Sequence, residues 1–188
     1  MLKASLPASW RVCLLAAWAA SWLLGVETRA ATIWTGPKTT FTKMGGADPT
    51  DPANQDRITD NVWITRGATR GPYNIRTESA FVDTVSPADT EWAVGTTADI
   101  GSLAFFDFQG LILGTFGSGN IQNAVGQDLV LHLISEDIYI DLKITEWGGA
   151  ASGGSFAWER STAVPEPAAG LLAGAALLAV ALRRRGSR

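Results

Sequence analysis

Between Asp137 and Trp147 the chain reads DIYIDLKITEW, and this stretch limits the fold more than any other. Ile138, Ile140, Leu142 and Ile144 point one way, while Tyr139, Asp141, Lys143 and Thr145 point the other. A strict period of two over that length is the pattern of a half-buried β-strand. Just upstream, Asp128 to Ile134 alternates less cleanly, with Leu129, Leu131 and Leu133 on one side and Val130, His132 and Ile134 on the other. Ser135 and Glu136 form a short polar turn between the two runs, so an antiparallel hairpin is expected.

Further short strands are expected at Thr32 to Trp34, Thr39 to Lys43, Asn61 to Thr65, Thr90 to Val94, Leu103 to Phe108 and Ser155 to Arg160. The pieces between them, GGADPTDPANQD, RGATRGP, GTFGSGN and GGAASGG, are rich in turn residues. No trustworthy helical periodicity occurs outside the two terminal apolar runs, and no fixed-period repeat is visible. The class expected is mainly β: an antiparallel two-sheet β-sandwich or jelly roll spanning residues 31–160.

The two ends read differently. Lys3 and Arg11 precede an apolar run, VCLLAAWAASWLLG, and then VETRAA, the layout of a secretory signal peptide over residues 1–30. The cut is placed between Ala30 and Ala31, by signal peptidase after passage through the Sec translocon. The lone cysteine, Cys13, lies inside that run and leaves with it, so the exported part has no disulfide, thiol nucleophile or cysteine metal site.

Residues 161–167 form a linker ending in Pro165, Glu166 and Pro167, and residues 168–188 hold an uncharged apolar run closed by Arg183, Arg184, Arg185 and Arg188. Ala168 to Leu182 can satisfy its own backbone as a helix of about 22 Å. That is short of the ~30 Å hydrocarbon core, so a span needs flanking residues or local thinning of the bilayer. The arginines keep their end cytoplasmic and leave the bulk of the chain outside.

In this order the tail resembles the PEP-CTERM sorting signal of bacteria that make extracellular polysaccharide. The resemblance implies recognition by a membrane exosortase through Pro165, Glu166 and Pro167, with Arg183, Arg184 and Arg185 holding the far end of the helix. It also implies cleavage near the Pro-Glu-Pro element. The blocks around Asp56 to Asn74 and Glu136 to Arg160 are similar to a recurring type of exported bacterial domain, which implies one contiguous extracellular domain and supplies no catalytic residues.

Charge separates the passenger from its ends. Residues 31–164 carry eight Lys and Arg against sixteen Asp and Glu, a formal charge of −8 that the whole-chain value of −3 conceals. Such a domain is a poor partner for nucleic acid. His132 is the single histidine, which rules out a multi-histidine metal site, and no Gly-x-Ser-x-Gly elbow accompanies it.

Glu136, Asp137, Asp141 and Glu146 are the densest carboxylates, the raw material of a glycosidase pair, yet along a strand they read as a solvated face. Asp48, Asp51, Asn54 and Asp56 offer hard oxygen ligands of the kind calcium takes. They lack the glycine and terminal glutamate of an EF-hand, and Pro49 and Pro52 suit an ordinary exposed turn equally well. Trp34, Trp63, Trp92, Trp147 and Trp158 are either sugar-stacking platforms or core residues, with Trp63 between Val62 and Ile64 reading as core.

The expectation is therefore an exported, noncatalytic structural or adhesive β-domain without a cofactor, anchored through its C-terminal helix and then placed at the surface or among extracellular polysaccharide. The alternative is a carbohydrate-binding module or a weak glycoside hydrolase.

Overall fold

A computed structural model of the protein describes residues 31–117 and 121–164. Among these residues nine strands form two sheets. They are β1 (Thr32–Trp34), β2 (Gly36–Lys43), β3 (Asp56–Arg57), β4 (Trp63–Arg66), β5 (Pro72–Asn74), β6 (Thr90–Val94), β7 (Asp128–Leu133), β8 (Ile138–Trp147) and β9 (Phe156–Thr162). The larger sheet runs β2-β9-β8-β7-β6, and the smaller runs β3-β4-β5. Neighbours are antiparallel throughout, except that β1 lies parallel to β8, with Thr32 opposite Ile138 and Trp34 opposite Ile140.

The alternating stretch is the spine of the large sheet. On one edge β8 pairs with β7, from Asp128↔Lys143 to Leu133↔Ile138. Its other edge is shared, because β1 takes Ile138 to Ile140 and β9 takes Leu142 to Trp147. Every main-chain group along a ten-residue strand needs a partner when buried, and two short neighbours end to end supply them. From β6 to β9 the strands follow one another as a meander, and β2 returns from the N-terminal side to close the edge at β9. That is the connectivity of an up-and-down sheet, where a jelly roll needs crossed Greek-key connections.

Both sheets feed one core. Ile138, Ile140, Leu142 and Ile144 of β8 are buried with Leu129, Leu131 and Leu133 of β7, and with Val62 and Ile64 from the smaller sheet. Trp92, Trp158 and Phe156 fill its centre, with Trp158 6.0 Å from Trp92 and 4.9 Å from Phe156 between ring centroids. Burial of such rings dominates the energetics of a core this size, at about 1.5–3 kcal/mol for each large apolar side chain.

Two expectations are corrected. Leu103 to Phe108 is not a strand: Phe106 makes only a two-bond bridge to Trp92. The chain then turns into a helix, α1 (Phe108–Thr115), where none was expected. Asp107 starts it, its carboxylate accepting from the Gly110 backbone N–H at 2.8 Å. With eight residues and two glycines, α1 is too short to print a helical period on the sequence; Phe108, Leu111 and Ile112 dock it on the core. The small strands β3 and β5 were also not expected, since two or three residues carry no alternation.

Among the described residues no helix is long and apolar enough to cross a membrane. The signal-peptide and C-terminal apolar runs both lie outside the described residues.

Candidate functional site

Of the expected sorting and cleavage residues, Ala30, Pro165, Glu166, Pro167, Arg183, Arg184 and Arg185 lie outside the described residues, and Ala31 is the exposed residue immediately before β1. What the fold does show is where the tail is attached. Strand β9 ends at Thr162, and it is paired on both sides, with β2 through Gly36↔Thr162 and with β8 through Leu142↔Arg160. The tail therefore hangs from an internal strand of the large sheet.

The four calcium candidates do not converge. Asp48 closes its own turn, accepting from the Thr50 backbone N–H and hydroxyl at 2.8 Å each, and those two bonds hold its carboxyl below the usual range. Asp51 caps the short turn at Ala53, and the Asn54 amide donates to the Asp48 carbonyl. Asp56 is buried and committed elsewhere: it takes Arg160 through both oxygens, at 2.8 and 2.7 Å, and the Trp158 indole N–H at 2.8 Å. Among the described residues no three His, Cys, Asp or Glu side chains gather around a point that could hold a metal.

The acidic group near the hairpin is likewise dispersed. Glu136 accepts from the Thr59 hydroxyl at 2.6 Å, Asp141 from the backbone N–H and hydroxyl of Thr97 at 2.7 and 3.0 Å, and Glu146 from Ser155 at 3.2 Å. His132 stacks on Tyr139 across the β7–β8 pairing, ring centroids 4.2 Å apart, and sits 3.3 Å from Asp137 and 3.7 Å from Glu91. Burial, with Asp137 next to it, pushes the Tyr139 hydroxyl up.

The tryptophans are mostly interior. Trp92, Trp147 and Trp158 are buried, and Trp34 packs against the core. The ring of Trp63 is covered by the guanidinium groups of Arg57 at 4.1 Å and Arg76 at 5.2 Å, which leaves it a poor face for stacking a sugar.

Inside the core the charge balance inverts. Lys43, Arg66 and Arg160 are buried, against Asp56 as the buried acid among the described residues. Arg160 takes Asp56, so Lys43 and Arg66 are left without an ion pair among the described residues. Arg66 is 3% exposed. Its Nε donates to the Arg70 carbonyl at 2.8 Å and its Nη1 to the carbonyls of Gly148 and Ser155 at 2.7 and 3.0 Å. The guanidinium lies 3.8 Å from the centroid of Trp147, and burial pushes it down to about 10. Burial, and then the charge of Arg66, lowers Lys43 as well.

Arg66 also borders a cavity of about 280 Å³ walled by Phe81, Phe108, Ile112, Leu113 and Trp147. A wider depression of about 570 Å³ is bordered by the polar residues Asn61, Arg76, Thr77, Asp89 and Ser135, and both oxygens of Asp89 there are already taken by Ser135.

By its neighbours in sequence, Arg66 belongs to the turn RGATRGP. A signal was present: Val62, Ile64 and Arg66 fall on one face at period two, so the strand carries a cation on its apolar side. Lys43 two residues after Phe41, and Arg160 two after Trp158, repeat the pattern.

No curated protein and no solved structure matches the chain. Residues 163–185, which begin one residue after β9 ends, match the family model of the PEP-CTERM protein-sorting motif, a signal that implies an exported protein directed to an exosortase.

Proposed function

We propose that this is an exosortase-processed protein of the cell surface or the extracellular polysaccharide matrix, whose sandwich-type β-domain is a noncatalytic structural or adhesive passenger. The observation that carries the reading is the fit between fold and signals. Strand β1 starts at Thr32, one residue after the expected signal-peptide cut, and β9 stops at Thr162, one residue before the sorting motif. The buried core is drawn from residues between those two points. A tail fastened to an internal strand transmits tension to the hydrogen-bonded sheet, which suits a domain displayed on a tether.

The absence of an enzymatic role is part of the proposal. Its support is that, among the described residues, Glu136, Asp141 and Glu146 each accept from a different neighbour and His132 stacks on Tyr139 beside Asp137 and Glu91.

The test is the mass of the protein recovered from cells that contain the matching exosortase. Ends near Ala31 and near Pro165 to Pro167 are expected, and replacing Glu166 or the three arginines Arg183 to Arg185 by alanine should leave an unprocessed, membrane-held form. Recovery of the intact chain from the cytosol refutes export, and turnover of any glycoside refutes the passenger role.

A further inference from the structure

Arg66 is over-buried for a purely structural clamp. Its carbonyl partners satisfy Nε and Nη1, yet carbonyls are neutral dipoles and leave a full positive charge without a counter-charge among the described residues. Nη2 has no hydrogen-bond partner there. No described side-chain nitrogen or oxygen is both sealed from solvent and unpartnered, so Nη2 keeps an open side, and the space that Arg66 borders is the 280 Å³ cavity.

The cavity is built and shaped. Trp147 fixes the guanidinium plane from one face at 3.8 Å. Phe81 can lie where it does only because residue 71 is glycine, since a Cβ there would come within 2.5 Å of the Phe81 ring. Arg70, nearer the surface, is held by Asp83 at 3.3 Å and is already compensated.

We propose that this cavity binds a small monocarboxylic acid, its carboxylate accepting from Arg66 Nη2 and its aromatic or branched apolar body lying against Phe81, Ile112 and Leu113. The volume falls just under the ~300–1,000 Å³ of pockets that hold drug-sized ligands, so the acid is small. Arg70 and Gln109 also line the cavity, but most of its wall is apolar, so inorganic phosphate, with oxygens on every side, would turn some of them toward Phe81 and Ile112.

The position is compatible with tethering. Trp147 pairs with Phe156 at the start of β9, whereas the chain leaves for the sorting motif after Thr162, about 20 Å further along the strand. The cavity lies at the end of the sheet away from the attachment point.

The experiment is a titration of the purified full chain, followed by tryptophan fluorescence and calorimetry, with phenylacetate, its neutral analogue phenylacetamide, and inorganic phosphate. Phenylacetate should saturate and perturb Trp147 emission, phenylacetamide should bind at least about tenfold more weakly, and phosphate should give no saturation. Leu113→Trp, at a position 46% exposed and able to fill the cavity mouth, should abolish phenylacetate binding without changing the melting temperature. Equal affinity for acid and amide, undiminished binding by Leu113→Trp, or no saturation by phenylacetate overturns the proposal. The amide comparison needs no variant, so it stands even if substitution at Arg66 itself unfolds the protein.

Discussion

Replacing Asp56 by alanine is the perturbation whose cost can be worked most directly. Asp56, at the start of the smaller sheet, accepts three hydrogen bonds from β9: two from Arg160 and one from the Trp158 indole. Arg160 and Asp56 are 8% and 7% exposed at their side chains, so water cannot replace the lost partner. Truncation strands a buried guanidinium, which costs about 3–5 kcal/mol.

For a domain of this length that lowers the unfolding midpoint by on the order of 10–20 °C. The double variant Asp56→Ala/Arg160→Met removes the stranded charge and should recover about 2 kcal/mol relative to additivity. A residual cost of about 1–3 kcal/mol should persist from the Trp158 N–H, which is fully buried and would have lost its acceptor. Urea unfolding of the four members of the cycle measures all of this. A single-variant cost under about 1 kcal/mol, or strict additivity, would refute the claim that this pair joins the two sheets.

Two glycines separate backbone strain from collision. Gly46 and Gly154 both have positive φ, 74° and 69°, but a Cβ at Gly46 meets nothing within 4 Å while at Gly154 it would lie 2.1 Å from the Gly67 carbonyl oxygen. Gly46→Ala should cost about 1 kcal/mol and Gly154→Ala clearly more, in the same unfolding assay; equal costs would contradict the contact between these loops. At Lys43, burial disfavours the charged form, so the unfolded chain holds that proton more tightly than the folded one. Stability should rise with pH as Lys43 titrates in the folded state, below its ordinary value of 10.5, and the penalty is fully present at lower pH. Lys43→Met is therefore expected to melt higher at neutral pH, with the gap to the parent closing toward pH 10.5; a pH-independent gap would show that the ammonium is not the cause.

Local pattern carried a large part of this fold. The limits expected for β1 and β6 coincide with those observed, and those of β7, β8 and β9 are met within two residues, because period-two alternation and turn chemistry are properties of neighbouring residues. The sorting tail was legible for the same reason, since a proline-flanked glutamate, an apolar run and arginines follow one another in order along the sequence. Helix α1 and strands β3 and β5 were not legible, being too short to hold a period.

The candidate pocket was the least visible of all. Arg66 sits beside Trp147 only because β4 folds over the end of β8, and the pairing of Asp56 with Arg160 spans 104 residues. Whether an inward cation finds a carboxylate, a carbonyl or an open cavity is decided by which distant strands meet around it. Close packing settles that, and no window of adjacent residues contains it.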